Sequence, residues 1–177
     1  KNTEKVIKYI RKAVENGAQV VATPEGIIDG YITKDLENKK IRDIDFKLPG
    51  YNSRLRAFKK KQGKLAKLIK NKYIPMIREE VSKLKIYLFL NTLDYRGKRN
   101  IYNTTFVIDP KGSIIGKYDK IHSGFEVVNR LGKSHKVFDT PYAPIGVIIC
   151  ADRQFPEGPR TTALMGARVL IVNSYGM

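Results

Sequence analysis

At 177 residues, 42% of them hydrophobic and 29% charged, the chain has the size and composition of one globular domain able to bury a sizeable core. Its longest apolar runs, Ile86–Leu90, Ile145–Ala151 and Val169–Val172, are far too short to cross a bilayer, so no membrane partner is expected. A single cysteine excludes an intramolecular disulfide and fits a reducing compartment, most simply the cytoplasm; with two histidines it forms no metal-ligand cluster at finger-like spacing.

In chain order, Val6, Ile7, Ile10 and Val14 place a helix over Asn2–Asn16, stopped at Asn16-Gly17. Ala18–Ala22 reads as a short buried strand ending at Thr23-Pro24-Glu25-Gly26. Residues 34–63 are polar, carry Pro49-Gly50, and read as an excursion leading to a helix from Lys64. Pro75 kinks or splits that helix before Met76–Leu84. Lys85–Leu90 is the next strand, and Ile101–Ile108 and Ser113–Tyr118 flank the turn Asp109-Pro110-Lys111-Gly112 as a hairpin. A loop over 121–135 and a short strand Val137–Asp139 follow, then strand Ile145–Ile149, helix Pro156–Gly166 and strand Arg168–Asn173. This order predicts an α/β fold with mixed pairing, whose first and last elements leave the sheet open on both sides.

The net charge of +17 is concentrated in Tyr51–Arg78, which holds ten basic residues and no acidic one. Phe58 and Tyr73 are isolated within it, without the aromatic interleaving that stacks bases, so the stretch reads as a solvated helix face. Nucleic-acid binding through that face is the minority reading.

Three reactive side chains each stand just past the end of a predicted strand: Glu25, Lys120 and Cys150. Strand ends are where α/β sheets assemble sites, because the loops converge there on rigid supports. A carboxylate can take a thiol proton and later activate water, a thiolate can attack a carbonyl carbon, and an ammonium can stabilise the resulting oxyanion. Alone, Cys150 would more often be a small core residue; Glu25 and Lys120 in matching positions reverse that preference. His122 and His135 invite a cysteine–histidine pair, but satisfied or exposed roles suit them better. Asn103 reads as serving strand geometry before the turn.

Three blocks carry a resemblance. They are Asn16-Gly-Ala-Gln-Val-Val-Ala-Thr-Pro-Glu25; Tyr102-Asn103 through Asp109-Pro-Lys-Gly112 to Lys117-Tyr-Asp-Lys120-Ile-His122; and Gly146-Val-Ile-Ile-Cys150-Ala-Asp152 with Phe155-Pro-Glu157, Arg160 and Gly166-Ala167. In this order they resemble the nitrilase superfamily of carbon–nitrogen hydrolases over nearly the whole chain. The resemblance implies an αββα sandwich formed by one domain over 1–177, lacking the family's first strand and C-terminal part. It also implies a homodimer or higher homo-oligomer, a small amide or carbamoyl substrate, and no metal or organic cofactor. Its catalytic triad falls on Glu25, Lys120 and Cys150, its second glutamate on Glu126, and its oxyanion donor on the Ala151 backbone N–H. Asp152 and Arg160 are expected to brace the turn after the cysteine, Arg160 by pairing with Asp152 or Glu157.

Nitrilases proper usually have Trp-Glu after the cysteine. Here Ala151-Asp152 stands there, which is more typical of amidases and N-carbamoyl amidohydrolases. The reading is therefore a cysteine-dependent hydrolase of linear amide or N-carbamoyl bonds. The alternatives are a non-catalytic binding protein on the same scaffold and a basic nucleic-acid binder.

Overall fold

Two sheets face each other across an apolar layer, and helices cover the outer sides. The computed structural model describes residues 2–30, 41, 45–98, 100–123 and 126–175. The first sheet runs β1 (Val20–Ala22), β2 (Tyr87–Tyr95), β3 (Ile101–Ile108), β4 (Ile114–Asp119). In it β1 is parallel to β2, while β2–β3 and β3–β4 are antiparallel. The second sheet runs β5 (Lys136–Asp139), β6 (Pro144–Ile149), β7 (Val169–Asn173), with β5 antiparallel and β7 parallel to β6. Helices α1 (Asn2–Glu15), α2 (Tyr51–Leu68) and α3 (Ile74–Leu84) lie on the first sheet, and α4 (Glu157–Leu164) lies against the second. The expected αββα sandwich with mixed sheets is what the chain forms.

Period-two alternation explains the two layers. Phe89, Val107 and Tyr118 of the first sheet meet Ile145, Val147 and Ile149 of the second, all buried, with Phe138 edge-on to Phe89. The opposite face of β2 and β3 sends Leu88, Leu90, Phe106 and Ile108 against Val6 and Ile10 of α1, Ala66 of α2, and Ile77 and Val81 of α3.

The helix expected from Lys64 begins at Tyr51, directly after Gly50, whose φ of 70° only glycine adopts without strain. Its buried stripe is Tyr51, Phe58, Gln62 and Ala66, so a glutamine occupies a core position and the lysines project outward. The earlier part of the expected excursion, residues 34–40 and 42–44, lies outside the described residues. Pro75 does not break the helical run: α2 passes through a π-helical turn, Ile69–Tyr73, into α3 with helical backbone at each junction, and the proline follows just after that turn. The hairpin also stands. Asp109 Oδ1 accepts from the Lys111 and Ser113 N–H groups, and Gly112 takes φ 75° to close the turn.

Close approach of α4 to β6 fixes the strand that carries Cys150. A Cβ on Gly146 would lie 2.1 Å from Thr162 Cγ2 and 3.0 Å from Ala167 Cβ. Thr162 cannot turn aside freely, because it is buried and its Oγ1 donates to the Gly158 carbonyl at 2.8 Å. Gly146→Ala is therefore expected to lower unfolding stability by about 1–3 kcal/mol through overpacking. A urea melt should show this as a lower midpoint with an unchanged slope.

Candidate active site

At one end of the sandwich the apolar layer gives way to buried polar side chains carried by strand ends from both sheets. Glu25 follows β1, Lys120 follows β4, Cys150 follows β6, Asn91 and Asn103 stand on β2 and β3, and Asn173 ends β7.

Cys150 turns the chain sharply. Its φ is 41°, in the left-handed region, and it opens the 3₁₀ turn Cys150–Gln154. Asp152 holds that turn. Its Oδ2 accepts from the Ile149 N–H at 3.0 Å and from Tyr118 Oη at 2.7 Å. Its Oδ1 accepts from the N–H groups of Ile121 at 3.2 Å and His122 at 2.7 Å, and lies 3.0 Å from His122 Nδ1. Burial and then the Asp152 charge push the Tyr118 hydroxyl well above its ordinary range, so it stays protonated and donates.

Lys120 Nζ lies 2.7 Å from Glu25 Oε1 and 2.5 Å from Glu126 Oε1, with all three side chains buried. Asn103 Nδ2 donates to the same two oxygens, at 2.9 Å and 3.0 Å. Burial raises the Glu25 pKa above the usual carboxylate range; Lys120 opposes this, Glu126 adds to it, and Cys150 contributes a small opposing interaction. The thiol nonetheless completes no full hydrogen bond to Glu25 Oε2, which is buried and without a partner. Two carboxylates against one ammonium, beside a thiol, make a cluster suited to moving a proton.

Glu25, Lys120 and Glu126 thus come together, with Cys150 adjacent. Glu126 reaches Lys120 across only six positions because its N–H bonds to Ser123 Oγ, while the Gly132 N–H returns to the Lys120 carbonyl. Val127 and Val128 pack beside Tyr51 and Phe58 of α2, which anchors that loop. Ala151 is half-buried inside the 3₁₀ turn.

Arg160 requires a correction. It is exposed on α4 and makes no ion pair with Asp152 or Glu157, because backbone N–H groups and Tyr118 already satisfy Asp152. His122 stacks on Phe155 at 4.0 Å between ring centres and faces Asp152, whereas His135 stacks on Tyr118. The sequence reading missed Asn91 and Thr105, and took Asn103 as strand geometry. The available signal was a run of amide and hydroxyl side chains on strands otherwise apolar.

The chain belongs to the carbon–nitrogen hydrolase family, whose model matches residues 1–177. It is similar to the omega-amidase NIT2-B of Xenopus laevis, 28% identical over 181 residues, covering 96% of this chain and 56% of that protein. A nitrilase of Pyrococcus abyssi is 31% identical over 175 residues, covering 96% and 57%. A citrullinase of Francisella tularensis is 30% identical over 178 residues, covering 96% and 54%. The chain therefore spans little more than half the length of these relatives. In fold it is similar to the NitN amidase from Neterenkonia sp. AN1, with a TM-score of 0.73 at 18% identity over 98% of this chain and 60% of that one. The glutamine-dependent NAD+ synthetase from Acinetobacter baumannii matches with a TM-score of 0.67 at 20% identity over 99% of this chain and 29% of that one. The resemblance drawn from the three sequence blocks is borne out.

Asp29, four residues beyond Glu25, accepts from Thr92 Oγ1 at 2.9 Å, and burial pushes its carboxyl up to about 6. A folded-state pKa above the unfolded one penalises the charged form, so stability falls as pH rises from about 4 to about 6 and is level above. Asp29→Asn keeps an acceptor for Thr92 and removes the charge. It should be more stable than the parent by about 3 kcal/mol near neutral pH and equal to it below about pH 4. Urea melts across that range check both the gain and its disappearance.

Proposed function

We propose that the chain carries the hydrolytic centre of an enzyme that cleaves linear carbon–nitrogen bonds of small amides or N-carbamoyl compounds through a Cys150 thioester. The observation that carries this reading is the buried Glu25–Lys120–Glu126 cluster beside Cys150 at the strand ends. Relatives named omega-amidase and citrullinase support the substrate class, as does Ala151-Asp152 after the cysteine.

In this mechanism Glu25 takes the thiol proton as Cys150 Sγ attacks the carbonyl carbon. The oxyanion lies between the Lys120 ammonium and the Ala151 N–H. When the tetrahedral adduct collapses, the C–N bond breaks and Glu25 returns the proton to the departing nitrogen, which leaves as ammonia or an amine. Glu25 then takes a proton from water, whose oxygen attacks the thioester carbon. The C–S bond breaks, the acid is released, and the proton goes back to the thiolate. A raised Glu25 pKa suits this double role, since burial makes the carboxylate a better proton acceptor than an ordinary exposed one. Lys120 holds Glu25 in place and keeps it from rising further.

Ammonia release from a panel of terminal amides and N-carbamoyl amines tests the reading. Cys150→Ala should abolish turnover, and Lys120→Ala should lower kcat by about a hundred- to a thousandfold through loss of the oxyanion clamp. Ammonia release by Cys150→Ala protein at the parent rate sinks the mechanism.

A further inference from the structure

The polar layer behind Glu25 is a hydrogen-bond chain whose direction is fixed by backbone groups at both ends. At one end the Gly26 N–H donates to Asn91 Oδ1 at 2.8 Å. A backbone N–H can only donate, so the Asn91 oxygen must face it and the Asn91 NH₂ must point the other way. At the other end Asn173 Nδ2 donates to the Thr23 carbonyl at 2.6 Å, which a carbonyl can only accept. The Asn173 oxygen therefore faces Thr105 and takes the Thr105 hydroxyl proton at 2.7 Å. With its proton spent, Thr105 Oγ1 accepts, and Asn91 Nδ2 supplies that bond at 3.2 Å.

The second Asn91 proton goes to Asn103 Oδ1 at 3.0 Å. That bond turns the Asn103 NH₂ toward the carboxylates, where its two protons meet Glu25 Oε1 at 2.9 Å and Glu126 Oε1 at 3.0 Å. The chain closes on itself: it starts at the N–H following Glu25 and ends on the Glu25 side chain. Asn91, Asn103, Thr105 and Asn173 are all buried, so water does not compete for these bonds.

The result at Glu25 is selective. Both Lys120 and Asn103 hold Oε1, and Oε2 alone is left without a partner. We infer that Asn103, oriented by Asn91, is a positioning residue that reserves Glu25 Oε2 for proton transfer and holds down the proton affinity of that carboxylate. This rests on the reading of Glu25 as the base for Cys150. Asn91 acts through Asn103, since its own amide bonds neither carboxylate.

Alkylation of Cys150 by iodoacetamide, followed from acid to neutral pH, reads the base directly, and the chain has one cysteine to label. Glu25→Gln separates the two claims: if it keeps the parental pH profile, the proposed function fails, whatever the asparagines do. Given a Glu25-dependent profile, Asn103→Leu removes the donor at similar volume and should move the midpoint up by about one pH unit. Asn91→Ala should move it in the same direction, and Asn91→Ala added to Asn103→Leu should move it no further. Where the leucine variant does not yield folded protein, Asn103→Ser, with a single hydroxyl donor, should give a smaller upward shift. A merely structural asparagine would lower the melting temperature and leave the midpoint alone. The inference is overturned by a parental midpoint in the Asn103 variant that folds, or by a full additional Asn91→Ala shift in its background.

Discussion

The carboxylate of Asp152 ties the two sheets together at the end where the reactive groups gather. One oxygen takes the Ile149 N–H, at the tip of the strand that carries Cys150, and the Tyr118 hydroxyl of β4. The other takes the N–H groups of Ile121 and His122, immediately after Lys120. The spacing between thiol and ammonium is therefore set by one side chain rather than by two loops. Its charge makes these bonds stronger than neutral ones, and removing it would leave buried N–H groups without acceptors. The same bonds support the left-handed backbone at Cys150, a conformation that persists only where its surroundings over-determine it.

A polar layer of this kind is costly in a sandwich whose remaining interior is apolar. Glu25, Lys120 and Glu126 lose their hydration, and their mutual attraction only partly offsets that loss. The apolar layers above and below compensate, but they constrain the backbone in return. Gly146 must stay bare for α4 to approach, and Gly116 must stay bare because a Cβ there would lie 2.3 Å from Phe138 Cε1. Packing fixes the strands, and the strands then place the polar ends. The N-terminal half of α2 joins this scheme through Tyr51 and Phe58, which pack with the valines that follow Glu126.

Glu25, Lys120 and Cys150 were legible because each ends an apolar run, and a reactive residue at a strand end is visible without knowing what faces it. The asparagine chain was not. The sequence reading ended β2 at Leu90, where hydrophobic residues give way to Asn91-Thr92-Leu93-Asp94, whereas the strand continues to Tyr95. Asn91 turns toward the opposite sheet, where Asn173 meets it through Thr105, and no property of the strand itself announces that. The start of α2 was hidden for a related reason: Gln62 takes a core position in the middle of a lysine run, which breaks the apolar period on which the reading relies. Arg160 failed differently. It was expected to pair with Asp152 or Glu157, but the Asp152 carboxylate points inward to backbone donors, and the sequence carries no information about that direction.

The cluster also shows why a neutral amide suits the place opposite Lys120. Glu25 and Glu126 share one buried cation in a chain of net charge +17. The basic run of α2 lies on an outer helix, and solvent screens exposed charges over roughly 10 Å. A second buried cation would repel Lys120 and pull the Glu25 pKa down. Asn103 donates one hydrogen bond to each carboxylate without adding charge. That keeps both glutamates oriented while burial still holds the Glu25 pKa high. On the proposed mechanism the group must accept a proton from sulfur and surrender it to nitrogen, and a carboxylate pinned far below neutrality would do the second step poorly.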